Sequence, residues 1–288
     1  MTIHFNGWDR IDGSRINSKQ TEKAFGKVMK RAALMEDAGK RRHGILFRAI
    51  TYSTATAAIL FLGVFVGTRI GKPADIGQCE IIAANGQKSE VVLPDGSRIK
   101  LNSATKVAYS GGFGITDRNI ELQGEAFFEV AKNEKLPFVV KTSSLSVEAL
   151  GTKFNVRSYN NEDETVTLVE GKVLAKAGNT GAILHPKQCI TCSHTTGQLG
   201  SPRAIDPNIG IPWLNGHIVF KGDNLSSVAS TLERMYNVNV VFADDSIRNF
   251  RYTGVVSNAS LNTLLDIISE TSPIAYEMNG NMLIFHRK

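Results

Sequence analysis

The chain has 288 residues, 42% of them hydrophobic and 21% charged, with a net charge of +6. All of the excess positive charge lies in residues 1–48, which hold eleven Lys and Arg against five Asp and Glu. Residues 69–288 hold 22 of each sign. A nucleic-acid-binding domain carries its basic residues on a folded surface. The charge distribution therefore argues against direct nucleic-acid binding.

The basic segment ends at an uncharged run, residues 49–68, which is bounded by Arg48 and Arg69. A helix of this length extends about 30 Å, the thickness of a bilayer core. The positive-inside rule places the basic end in the cytoplasm. A cleaved signal peptide would have a charged region of nearly fifty residues, and a buried core helix would need other segments around it. We predict a single-pass membrane protein.

Residues 17–38 of the cytoplasmic head (residues 1–48) have the periodicity of an amphipathic helix. Basic side chains occupy the rest of its surface. This helix docks on a partner helix or groove, or it lies on the anionic inner leaflet; the pattern favours neither. The apolar stripe, which we name the head stripe, consists of Phe25, Val28, Met29, Ala32 and Met35.

Beyond the membrane segment, residues 79–199 show the two-residue alternation of β-strands, and Pro94-Asp95-Gly96 is typical of a hairpin turn. Many short strands with frequent turns predict an all-β sandwich, barrel or solenoid. The predicted strands are 89–93, 97–101, 106–109, 119–123, 127–130, 138–141, 145–150, 154–159, 165–169 and 172–175.

Residues 200–212 contain three prolines and are predicted to form a linker. Residues 213–288 then give the order β-α-β-β-α-β-β, a small α+β domain built from two similar βαβ halves. Its first helix, 225–236, is capped by Asp223 or Asn224, and its second by Ser260. Asn279-Gly280 predicts a type I′ turn in a final hairpin.

The middle of the chain resembles the FecR family. The matching stretches occur in order: LPDGS at 93–97, LNS at 101–103, LQGEAFFEV at 122–130, PF at 137–138, GTKFNV at 151–156 and VEG at 169–171. The tail from Trp213 to Phe285 is similar to the C-terminal domain often joined to FecR domains. That domain in turn resembles the short signalling domain of TonB-dependent receptors and secretins.

The resemblance implies an inner-membrane regulator whose cytoplasmic head holds an extracytoplasmic-function sigma factor. Its periplasmic part, a β-solenoid-like unit and a small α+β unit, would receive a signal from the signalling domain of a TonB-dependent outer-membrane transporter. The head stripe would then contact the sigma factor. The head is shorter than in many members, and Phe25 matches the family's usual Trp only loosely. A membrane-anchored envelope-binding or structural protein without a sigma partner is the alternative.

Gly151-Thr152 is the one candidate for covalent chemistry. Some FecR-like proteins split themselves at a Gly-Thr in this motif. The Thr hydroxyl would attack the preceding carbonyl carbon, the amide C–N bond would break, and water would then open the resulting ester. Such a shift needs a distorted peptide bond and oxyanion stabilisation. The alternative is that Gly151 only turns the chain between two strands. We expect no other enzymatic activity.

Cys189 and Cys192 form a C-x-x-C pair with His185 and His194 nearby, which raises redox and metal-binding interpretations. The pair lies in a strand-like stretch and lacks the βαβ context typical of redox motifs. We therefore expect a local disulfide, or a bridge from Cys79 to one of the pair, and no metal or cofactor.

Overall fold

The structure is a computed structural model that describes residues 23, 26–27, 29–31, 77–257 and 260–288. The chain divides into two compact units, Met1–Ala74 and Asp75–Lys288. In the first unit the described residues are helical, within the predicted 17–38 helix, and the Met29 side chain is exposed. The other four head-stripe residues and the 49–68 segment lie outside the described residues. No helix among the described residues is long and apolar enough to cross a bilayer.

The first part of the second unit, which we call the β domain, is one curled sheet with thirteen strands in the described region. The mainly-β prediction is confirmed. The sheet encloses a single core of aliphatic and phenylalanine side chains. The strands are β1 Gln78–Ala83, β2 Ser89–Val92, β3 Arg98–Leu101, β4 Thr105–Ser110, β5 Asn119–Glu129, β6 Phe138–Lys141, β7 Ser146–Ala149, β8 Lys153–Ser158, β9 Glu164–Glu170, β10 Val173–Ala177, β11 Thr180–Leu184, β12 Gln188–Cys192 and β13 Arg203–Ala204.

Strand β5 joins the two halves of this sheet. Its first half pairs with β4 and, in parallel, with β6, whereas its second half pairs with β3 and β8. The change occurs at Gly124, which has φ +108° and whose added Cβ would lie 2.7 Å from the Thr105 Cα. Predicting two strands, 119–123 and 127–130, was therefore wrong. Glycine bends one continuous strand here because no side chain fits.

The C-terminal domain confirms the predicted β-α-β-β-α-β-β order. Asn224 accepts a hydrogen bond from the Ser227 amide, and Ser260 accepts one from the Thr263 amide, so both helices have the expected side-chain caps. Its strands form two separate sheets, β14–β16 and β15–β18–β17. The elements are β14 His217–Asn224, α1 Leu225–Tyr236, β15 Asn239–Phe242, β16 Arg251–Ser257, α2 Leu261–Thr271, β17 Ile274–Asn279 and β18 Met282–Arg287.

The proline-containing segment between these domains follows the surface of the β domain. It contributes β13, which pairs with β12, a helical turn Pro207–Gly210 and a 3-10 turn Pro212–Asn215. Ile211 and Trp213 are buried in a small cluster with Phe127 of β5. The segment predicted as a linker is thus held by packing over much of its length.

Candidate functional site

The junction between the β domain and the C-terminal domain contains a buried polar network under Trp213. The Trp213 Nε1 donates a hydrogen bond to the Asn155 Oδ1 at 3.2 Å. The Asn155 Nδ2 donates to the Glu125 Oε1 at 3.0 Å, and the Asn102 Nδ2 donates to the Glu125 Oε2 at 2.9 Å. Glu125 is 8% exposed. Both of its oxygens therefore have amide donors, as a buried carboxylate requires.

Lys88 closes this network from the loop before β2. Its Nζ donates to the Trp213 carbonyl at 3.0 Å and lies 5.6 Å from the Trp213 ring centre. Burial lowers the pKa of Lys88, while the Glu125 carboxylate acts in the opposite direction. The β domain thus holds Trp213 through its indole nitrogen, its ring and its carbonyl.

A second contact at the junction is built around Arg234, in the last turn of α1. Its guanidinium lies 4.0 Å from the centre of the Tyr159 ring and donates to the Glu162 Oε1 at 2.6 Å. Arg157 pairs with the other oxygen of Glu162. Burial and then the Glu125 charge raise the pKa of Tyr159, which stays neutral and donates to the Ser103 carbonyl at 2.9 Å.

The C-terminal end of α1 is also bound through the backbone. The Gly86 amide, in the turn after β1, donates to the Arg234 carbonyl at 2.7 Å. Gly86 has φ +75°, a conformation that glycine adopts readily. Carbonyl groups in the last turn of a helix have no partner within it. The β1–β2 turn therefore satisfies one of them from the neighbouring domain.

Gly151 and Thr152 lie in the connection between β7 and β8, two inner strands of the sheet. Gly151 has φ +151°, and Gly171 packs so closely that an added Cβ would lie 2.7 Å from the Thr152 Cγ2 and 3.1 Å from the Gly151 carbonyl oxygen. Thr152 is 5% exposed. Its Oγ1 is buried and has no hydrogen-bond partner within the described part of the chain. The hydroxyl is thus buried without the partner that such a group usually has.

Three charged side chains, one from each of three neighbouring strands, line the same cavity as Thr152. Lys153 of β8 lies opposite Glu129 of β5 and Glu170 of β9, and its Nζ is 3.2 Å from the Glu170 Oε2. All three line a cavity of about 260 Å³ that also reaches Gly151 and Thr152. The Gly151-Thr152 peptide therefore adjoins carboxylates and a cavity.

The cysteines do not form the expected bridge. Cys189, Cys192 and Cys79 are all free, so the disulfide prediction is wrong. Cys189 and Cys192 are three residues apart on β12, so their side chains point to opposite faces and their Cα atoms are separated by about 10 Å, too far for a disulfide. Among the described residues, no group of three His, Cys, Asp or Glu side chains is placed to hold a metal ion.

The sequence identified only part of these sites. It singled out Gly151 and Thr152 but did not connect them with Gly171. Of the head stripe, only Met29 is described, so the stripe remains a prediction. The junction residues Arg234 and Tyr159 were missed. A tryptophan next to three prolines, an unusual composition for a free linker, was the one available signal for the junction.

Comparison with known proteins identifies the family of the chain. The family model for FecR protein matches residues 80–174, and the model for the FecR C-terminal domain matches residues 217–285. Two crystal structures of a candidate anti-sigma factor from Parabacteroides distasonis ATCC 8503, at 1.65 and 2.50 Å resolution, are each 31% identical to the chain. They match with TM-scores of 0.67 and 0.68, over 73% and 74% of this chain and 99% and 100% of theirs. No curated protein matches significantly. The chain belongs to the FecR family.

Proposed function

We propose that this protein is a transmembrane anti-sigma factor that relays a signal from a TonB-dependent outer-membrane transporter to an extracytoplasmic-function sigma factor. The observation that carries the proposal is the similarity to a candidate anti-sigma factor, which is matched over 99–100% of that protein's solved chain. The matched part of the present chain contains a FecR domain followed by a FecR C-terminal domain. The basic head and the uncharged 49–68 segment supply the means to act across a membrane.

The topology has a direct test. With the head in the cytoplasm and residues 70–288 in the periplasm, protease added to spheroplasts removes a C-terminal tag and spares an N-terminal tag. This topology is predicted from the +6 charge of residues 1–48, which precede an uncharged run. A C-terminal tag that survives in intact spheroplasts contradicts this topology.

Sigma-factor binding is assigned to the head stripe, because a short amphipathic helix buries such a stripe on a partner. The tagged full-length protein is isolated from its native membranes and the captured sigma factor is measured. Burial of a Phe side chain contributes about 1.5–3 kcal/mol, so Phe25→Asp should reduce capture about tenfold or more. Phe5→Asp, outside the predicted helix, is the matched control. Equal capture by both variants favours the membrane-surface alternative, and no captured sigma factor favours the envelope-binding alternative.

The C-terminal domain is proposed to receive the transporter's signal. Its junction with the β domain supports this role, since Trp213 and Arg234 connect any displacement of the domain to the sheet. Deleting 217–288 keeps Trp213 in place and should uncouple a sigma-dependent reporter from the inducing nutrient. A truncated protein with normal induction excludes this role.

A second candidate activity is self-cleavage at Gly151-Thr152. It is supported by the buried Thr152 hydroxyl without a partner and by the close packing of Gly171 on the peptide. Attack of the hydroxyl on the Gly151 carbonyl carbon gives an ester and a free amine, and water then yields two chains. Denaturing gels of the purified protein should show two bands, with a new N-terminus at Thr152. Thr152→Ser should still split and Thr152→Ala should not; a wild type that stays intact leaves Gly151 as a turn.

A further inference from the structure

Strand β14 presents one unpaired edge. It pairs only with β16, and among the described residues no backbone hydrogen bond involves its other edge between Ile218 and Phe220. The Ile218 and Phe220 side chains are buried in the core of the C-terminal domain, so the strand is firmly positioned. A fixed strand with free N–H and C=O groups is a template for another strand.

This free edge borders a cleft of about 370 Å³ between the C-terminal domain and the β domain. Every residue from His217 to Lys221 lines the cleft. Because neighbouring side chains of a strand point to opposite faces, an unbroken lining places the cleft beside the strand's edge and not over one face. Thr165 and Thr167 of β9 form part of the opposite wall, and Trp213 also lines the cleft.

The cleft favours acidic ligands. Arg203 and Lys221 are both exposed, and neither side-chain cation has a hydrogen bond or ion pair among the described residues. The two lining carboxylates are engaged: Glu125 accepts from two amides, and Asp223 accepts from the Lys221 backbone amide at 2.9 Å. These two unpaired cations, one on β14 and one on β13, line the same cleft and complement carboxylates on an added strand.

We propose that the cleft binds an extended acidic segment of a partner protein, which pairs with the free edge of β14 and places its carboxylates near Arg203 and Lys221. Main-chain hydrogen bonds would supply affinity and the two cations would supply selectivity. The proposal deepens the receiving role given above to the C-terminal domain and rests on that function. It specifies an extended strand as the form in which the partner is recognised.

The test uses the purified full-length protein and a blocked, fluorescent peptide, Thr-Glu-Val-Glu-Val-Thr, in which both Glu side chains lie on one face. Two control peptides carry Gln in place of both Glu, or Pro in place of the first Val, which removes a backbone donor. Anisotropy gives the Kd, and amide hydrogen exchange with mass spectrometry gives the position. We expect binding of the Glu peptide at least tenfold tighter than either control, with protection at residues 217–221.

Protein variants distinguish a specific charge interaction in the cleft from nonspecific attraction between the acidic peptide and the protein surface. Arg203→Glu should weaken binding of the Glu peptide about tenfold, whereas Lys141→Glu, a charge reversal at another exposed position, on β6, should not. Both are surface changes, and thermal melting verifies that each variant is folded. Equal Kd values for the Glu and Gln peptides, equal effects of the two variants, no binding at millimolar peptide, or protection at 251–257 in place of 217–221 would each overturn the proposal. None of these outcomes affects sigma-factor capture by the head. Peptide binding at the cleft and sigma-factor binding can therefore be disproved independently of each other.

Discussion

The guanidinium of Arg234 lies 4.0 Å from the centre of the Tyr159 ring, so a helix of the C-terminal domain stacks on a side chain of the β domain. Arg248 makes a similar contact within the C-terminal domain, 4.2 Å from the centre of the Phe242 ring. The two arginines form a natural pair for comparison, because only one of them connects the domains.

We expect Arg234→Met to loosen the junction and Arg248→Met to leave it unchanged. Arg234 is mostly buried and loses both the ring contact and its bond to Glu162, together about 1–3 kcal/mol. Hydrogen exchange at residues 205–216 should rise several-fold in Arg234→Met alone. Equal exchange in the two variants would show that Trp213 packing holds the junction without Arg234.

Thr152→Val should stabilise the protein. A buried hydroxyl without a partner costs about 1–3 kcal/mol, and valine has nearly the same shape without that cost. The midpoint of urea denaturation should therefore increase. Thr152→Ser is the control, since it keeps the hydroxyl and loses a methyl group that contacts Gly171. A lower midpoint for Thr152→Val would mean that a water molecule or another group satisfies the hydroxyl.

Gly124→Ala should destabilise the protein more than Gly96→Ala. Both glycines have positive φ, which costs an alanine about 1–2 kcal/mol. An added methyl at Gly96 has no atom within 4 Å, whereas at Gly124 it would meet the backbone of Thr105 and Ala104. Overpacking of this kind costs about 1–3 kcal/mol more. Chemical denaturation measures both variants, and similar losses would show that the sheet shifts easily at β5.

Thiol labelling tests the free cysteines. Cys79 is exposed, whereas Cys189 and Cys192 are fully buried. Burial, followed by the charges of Glu164 and Asp163, raises the pKa of the Cys192 thiol and lowers its thiolate fraction. Under native conditions iodoacetamide should modify Cys79 alone, and in urea without reductant it should modify all three. Two thiols that stay unlabelled in urea would indicate a disulfide.

Local signals in the sequence predicted the C-terminal domain well. The Ser260 cap depends on neighbouring residues only and appears as expected. The final hairpin also forms, but Asn279 pairs with Met282, so the two turn residues are Gly280 and Asn281. Gly280 has φ +62° whereas neither Asn279 nor Asn281 has a positive φ, so the prediction of a type I′ turn at Asn279-Gly280 was wrong. Strand β11 was missed because its sequence, TGAIL, includes glycine and lacks clear alternation. The parallel pairing of β5 with β6 was missed as well, since register between strands leaves no local signal.

The junction was harder to predict for the same reason. Arg234 and Tyr159 are far apart along the chain, and each alone resembles an ordinary surface or core residue. The orphan hydroxyl of Thr152 depends on how β7, β8 and Gly171 come together. The sequence could identify the Gly-Thr pair only by resemblance, because burial of one oxygen atom is a property of the packed fold.

The hydrogen bond from the Gly86 amide to the Arg234 carbonyl gives the protein a short mechanical path. A force applied to α1 would enter the chain at the turn directly after β1, the first described strand beyond the 49–68 segment. This path does not include the other twelve strands, and it acts in parallel with the contacts by which Arg234 and Trp213 connect to the sheet. Part of a pull on the far end of the protein would therefore reach the chain close to where the β domain begins, without first passing through the sheet.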